Sequence, residues 1–99
     1  MKIDYKFFDA ENTVCFVCDH VLNKQRPVLR VLHEKEDFYW QFLCGENDHL
    51  TDANIKIISM KEATEIDNTI NELYEMPLGV GAERKSISDK WVPFKIPEE

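Results

Sequence analysis

No stretch of this chain stays apolar for anything near the ~20 residues that a membrane-crossing helix needs. Lys2, Asp4 and Lys6 stand where a secretory leader would place its apolar segment, so a cytoplasmic protein without a leader is expected. Repeats, linkers and low-complexity tracts are missing too. The 99 residues therefore read as one domain with a single core, and residues 1–12 as its lead-in. Basic residues are the minority, 12 Lys and Arg against 19 Asp and Glu, for a net charge of −7. That field repels phosphates and argues against nucleic acid as a partner, while it speeds encounter with a basic protein. Glycine is scarce at three residues. Gly79-Val80-Gly81 is not followed by the Gly-Lys-Ser/Thr of a phosphate loop and does not lead into a helix, which excludes a nucleotide cradle of that type. The three cysteines are an odd number, and without a leader the expected state is free, buried thiols.

What is present is a set of short apolar runs separated by polar turns. The densest is Phe38–Cys44. Phe38, Trp40, Phe42 and Cys44 share one parity and are all apolar, whereas Tyr39, Gln41 and Leu43 share the other, so the run reads as a strand with Trp40 and Phe42 in the core. Earlier runs predict strands over 13–22 and 28–34, broken by Asn23–Pro27. Short polar connections favour an antiparallel meander of these first three strands, because parallel crossovers usually need about a dozen or more residues. Ile55–Ser59 predicts a fourth strand. Ser59-Met60-Lys61-Glu62 has the form of a capping box, and Ile66, Ile70 and Leu73 recur at helical spacing, so one amphipathic helix is expected to end near Met76-Pro77. Leu78–Arg84 predicts a strand whose glycines permit close approach or unusual dihedrals. Trp91–Ile96 predicts a last strand, placed at an edge by Pro93. Phe7 and Phe8 are expected to tuck onto the domain. The fold class is α+β: a mainly antiparallel sheet of five to six strands with one main amphipathic helix on one face.

Several residue groups carry possible chemistry. Cys15-Phe16-Val17-Cys18 has the spacing of a zinc knuckle or redox dithiol, and Cys44, His20, His33 and His49 extend a conceivable metal-binding module. Phe-Val favours extended backbone over a knuckle turn, however, and residues three apart on a strand point to opposite faces. No metal, no cofactor and no enzymatic activity are expected. A cysteine–histidine nucleophile is disfavoured because the acidic balance raises a thiol pKa. Glu46, Asp48 and Asp52 make an acidic loop that lacks the alternating pattern of a helix–loop–helix calcium site. Glu83 and Arg84 are neighbours facing opposite ways on a strand. Arg84 shares the parity of Val80 and Ala82 and is expected to tie the sheet to a carboxylate, with Glu46 a candidate.

Cys-Phe-Val-Cys-Asp at 15–19, Trp40-x-Phe42-x-x-Gly45-Glu46, Pro77-Leu-Gly-x-Gly-Ala-Glu-Arg84 and a late Trp91 together resemble the bacterial immunity protein 33-like family, once listed as a domain of unknown function. The similarity spans roughly residues 13–94, and the turn Lys35-Glu36-Asp37 is shorter than the acidic insertion typical of that family. The resemblance implies an α+β domain that binds and neutralises a polymorphic toxin domain without catalysis. A small regulatory or structural domain is the alternative. Candidate binding residues are Tyr39, Glu46, Asp48, Asp52, Glu83 and Arg84. Trp40, Phe42, Gly45, Gly81 and Trp91 are expected to be framework. For Glu46, Glu83 and Arg84, binding and framework roles both stand.

Overall fold

The computed structural model describes residues 5–35, 38–45 and 55–96. Its centre is a mixed, mostly antiparallel six-stranded sheet: β1 (Val14–Cys18), β2 (Arg30–His33), β3 (Trp40–Leu43), β4 (Ile55–Ser59), β5 (Val80–Glu83) and β6 (Val92–Lys95). Two short helices accompany them, α1 (Asp19–Leu22) and α2 (Met60–Ile66), with a 3-10 helix over Asn68–Leu73. The spatial order is β4-β1-β3-β2-β5-β6.

The expected meander of the first three strands is half right. β2 and β3 form the antiparallel hairpin, with His33 opposite Trp40 and Arg30 opposite Leu43. β1, by contrast, does not pair with β2. It lies parallel to β3, with Val17 opposite Phe42, so β3 inserts between the first two strands. The connection after Cys18 allows this because it holds a helical turn and a loop. The strand expected over 13–22 stops at Cys18, which caps α1, and Lys24 at φ 60 turns the chain back toward β2.

The single amphipathic helix is also divided. The capping box forms as expected: the Glu62 backbone N–H donates to Ser59 Oγ at 3.1 Å and the Ser59 N–H to Glu62 Oε1 at 3.3 Å. The helix then breaks at Asp67, which is extended at φ −146 and restarts the chain as a 3-10 helix by accepting from the Thr69 N–H at 3.0 Å. Ile70 is still buried, with Ile66 and Leu73 packed beside it, so the apolar stripe reaches the core through two short segments.

The register gives the sheet two unlike faces. One lateral row reads Lys56, Val17, Phe42, Val31, Ala82 and Pro93. Its four central members are fully buried, and each of the larger ones contributes about 1.5–3 kcal/mol relative to exposure. Met60 and Ala63 of α2, Ile70, Val21 of α1 and Phe7 complete this core. Trp40 sits in it with its ring stacked 3.9 Å from that of His33, edge-on to Phe7 at 4.9 Å, and its Nε1–H donating to Asp9 Oδ1 at 3.1 Å. Phe8 does not tuck in. It is 81% exposed beside Tyr74, because Phe7 alone faces the core.

Pro93 lies at an edge as expected. The Ile96 N–H donates to Gly79 O, so even-numbered residues of β6 point their N–H groups at β5 and the missing N–H of Pro93 faces outward. Gly45 and Gly79 both adopt positive φ, at 88° and 83°.

Candidate functional site

The second sheet face is buried where it carries Cys18 and Leu43, and partly exposed elsewhere. Its lateral row reads Ile57, Phe16, Gln41, Leu32, Gly81 and Phe94, again crossing all six strands. Val14, Arg30, Glu83 and Val92 lie on the same face by the strict alternation of strand side chains. Ile57 and Val92 are each 64% exposed, and Phe16 and Leu32 are half-buried. Local contacts order this surface. Phe16 meets Tyr39 edge-to-face at 5.4 Å, and Arg30 lies over the Phe94 ring at 5.2 Å while its Nη1 donates to Glu83 at 2.9 Å. The Arg30–Glu83 pair is substantially solvated and worth well under about 1 kcal/mol.

Two of the candidate binding residues, Tyr39 and Glu83, therefore share this face, although Tyr39 is half-buried against Phe16 and not freely exposed. Glu46, Asp48 and Asp52 lie outside the described residues. Arg84 belongs elsewhere. The alternation sends it to the core side, where it is buried with its guanidinium 4.1 Å over the Trp91 ring. Nε and Nη2 donate to Val28 O at 3.0 and 2.9 Å, Nη2 also to Asp67 Oδ2 at 3.1 Å and Thr69 Oγ1 at 2.9 Å, and Nη1 to Ile87 O at 3.3 Å. Its carboxylate partner among the described residues is Asp67, which the break after α2 turns inward, and the candidate Glu46 lies outside them. These contacts spend its donors inside the protein, on the loop before β2 and on the start of the 3-10 helix. Of the residues expected to be framework, Trp40, Phe42 and Gly81 are buried, Trp91 is half-buried under the Arg84 guanidinium, and Gly45 is an exposed turn residue at positive φ. The signal for Asp67 was present in the sequence as the one acid between Ile66 and Ile70, where a continuous helix would have given it a solvent-facing reading.

The cysteines go to separate partners. Cys15 directs its Sγ at Ser59 O, 3.7 Å away, while Cys18 meets the Cys44 thiol, whose sulfur also lies 3.7 Å from Arg26 Nη1. Among the described residues no three His, Cys, Asp or Glu side chains lie together as a metal-holding group. Burial pushes the Cys15 thiol up from 9.0 to about 12, with Glu62 and Asp9 adding to the effect. Burial likewise raises Cys18, opposed by N–H groups of Val21 and Cys44 that donate to its sulfur.

The fold thus holds Cys15 protonated while the unfolded chain ionises it above its ordinary value. Above pH 9 the native state binds more protons than the unfolded one, so this stabilisation is whole below pH 9 and drains away toward pH 12. Urea midpoints measured from pH 8 to 11 are expected to fall, at up to about 1.4 kcal/mol per pH unit from this group. Cys15→Ala should flatten that slope, and an unchanged slope would remove Cys15 as its source.

Among the described residues no helix is long and apolar enough to cross a membrane. A scan against protein-family models, a search of curated proteins and a search of solved structures each found no match to this chain.

Proposed function

We propose that this chain is a non-enzymatic protein-binding domain, an immunity protein that neutralises a basic toxin domain, and that the second sheet face is where the partner docks. The observation that carries the reading is the continuous row from Ile57 to Phe94. On this face Val14, Ile57 and Val92 stay exposed and Phe16, Leu32 and Phe94 half-exposed, and contiguous apolar surface kept in contact with water marks interaction sites. Phe16 and Tyr39, already packed against each other, lose little freedom when a partner covers them. The net charge of −7, to which Glu46, Asp48, Asp52 and Glu83 contribute, steers a cationic partner and sets the rate of encounter. The resemblance to the immunity protein 33-like family supplies the toxin as the class of partner.

The test pairs the full-length chain with a cationic toxin domain encoded beside its gene. Co-expression should rescue growth, and association measured by stopped flow should slow as salt rises. Val14→Lys and Ile57→Lys change exposed positions and leave the core alone. Together they are expected to weaken binding by about tenfold or more and to reduce rescue. Unchanged binding by a variant that folds normally would take this face out of the interface. Lack of any rescue by the unaltered chain would end the immunity reading.

A further inference from the structure

The Cys-x-x-Cys spacing at 15–18 joins two sulfurs that never meet. Cys15 and Cys18 stand three residues apart on β1 and so face opposite sides of the sheet, and Cys15 turns its Sγ to Ser59 O at 3.7 Å. The thiol that Cys18 does meet is that of Cys44, just past the end of β3, the strand lying parallel to β1. The two thiols hydrogen-bond one another, and both are buried, at 0% and 2% exposure.

Buried thiols ordinarily serve as small apolar filler, and Cys15 fits that description, with Glu62 and Asp9 near enough to oppose its ionisation. The Cys18–Cys44 pair is surrounded differently. N–H groups of Val21 and Cys44 donate to the Cys18 sulfur, and Arg26 brings Nη1 to 3.7 Å from Cys44 Sγ. Hydrogen-bond donors and a guanidinium are what stabilise a thiolate away from water. Arg26 also lines a groove of about 520 Å³ that opens to solvent beside Pro27 and Val28, so the Cys44 sulfur is one side chain from water. Gly45, the next residue, is exposed. A water-sized oxidant therefore has only a short way to travel.

We propose that Cys18 and Cys44 form a reversible disulfide when the protein meets hydrogen peroxide, locking the end of β1 to the end of β3. Cys44, as thiolate, attacks one peroxide oxygen. The O–O bond breaks, and the departing hydroxide takes up the proton that the thiol released and leaves as water. Cys44 is then a sulfenic acid. The Cys18 sulfur attacks the Cys44 sulfur, the S–S bond forms and the S–O bond breaks, and the hydroxide leaves with the Cys18 proton as a second water. Together the two sulfurs give two electrons to one peroxide, and a small dithiol returns them by thiol–disulfide exchange. The bond closes a loop from 18 to 44 that contains α1 and β2. It stands or falls independently of the partner proposed above.

The experiment treats the folded full chain with hydrogen peroxide, alkylates it with iodoacetamide in urea, and measures its mass before and after digestion. One of the three cysteines should remain alkylatable, the monomer should lose two hydrogens, and fragment spectra of the digest should join Cys18 to Cys44. Dithiothreitol should restore all three thiols. The oxidised protein should unfold at a urea concentration at least about 1 M higher, because the bridge restricts the unfolded chain. Cys15→Ala should oxidise as the unaltered protein does. Cys18→Ala should stop at a sulfenic acid on Cys44, which dimedone traps. The unaltered protein carries the test by itself, so a variant that folds poorly does not remove it. Three alkylatable thiols after peroxide, a bridge that includes Cys15 or joins two molecules, or a bridge that forms only with urea present during oxidation would each overturn the proposal.

Discussion

Arg84→Ala should destabilise the protein by about 3–5 kcal/mol, a large part of the 5–15 kcal/mol typical of a whole domain. The side chain is 1% exposed and its partner Asp67 6%. Truncation leaves the Asp67 carboxylate buried without its cation, and it strips Val28 O of both side-chain donors. Trp91 loses the guanidinium stacked on its ring. Because the same group joins β5, the loop before β2 and the 3-10 helix, the loss acts on three elements at once. With a urea slope of roughly 1–3 kcal/mol per molar, the midpoint should fall by about 2 M. Arg84→Lys keeps the charge but cannot donate from two nitrogens to one carbonyl while stacking on an indole, so an intermediate loss is expected. Asp67→Asn retains an oxygen for the Thr69 N–H and should cost less than Arg84→Ala. Equal midpoints for Arg84→Ala and the unaltered protein would mean that this cluster is not what holds the three elements together.

The same cluster shows where sequence reasoning reached and where it stopped. Parity alone placed Trp40 and Phe42 in the core and put Arg84 on the side of Ala82, because alternation is a local property of extended chain. Pro93 marked the edge strand for an equally local reason, its missing N–H. Asp67 was not legible as the partner of Arg84. Ile66, Ile70 and Leu73 fit helical spacing, and that pattern hides a break at one residue whose side chain is drawn inward by a guanidinium 17 positions away. The parallel pairing of β1 with β3 is a further non-local choice. The connection from Cys18 to Arg30 could have closed a hairpin, but the insertion of β3 brings Val17, Phe42 and Val31 into one buried row. For the candidate site, sequence picked out Tyr39 and Glu83, yet the face they share is assembled by pairing across β3, β2 and β5. No single segment records it. Phe16, Ile57 and Leu32 went unread as surface for the same reason, since an apolar residue on a strand looks the same whether a second layer covers it or not.

Gly81→Val should cost about 3 kcal/mol, and Gly81→Ala about 2 kcal/mol, against an opposing backbone effect. Replacing a strand glycine with alanine ordinarily stabilises by about 0.5–1 kcal/mol, since glycine loses the most freedom on folding. Here the space is taken. A Cβ on Gly81 would come within 2.6 Å of Phe94 Cζ, 2.9 Å of Leu32 Cδ2 and 2.9 Å of Val31 O. The Phe94 ring, half-buried and on an edge strand, has room to swing aside, and the tip of Leu32 can rotate. Val31 O cannot, because it belongs to β2, and moving it shifts the pairing of β2 with β5 and the buried row through Phe42, Val31 and Ala82. Sterics should therefore outweigh entropy. Phe94→Ala combined with Gly81→Ala separates the two contacts: relief of the ring clash should recover part of the loss, while the share due to Val31 O remains. Urea midpoints of the two single variants and the pair decide it. A more stable Gly81→Ala would show that the strands shift freely and that entropy sets the sign, whereas full recovery in the double variant would assign the whole cost to the Phe94 ring.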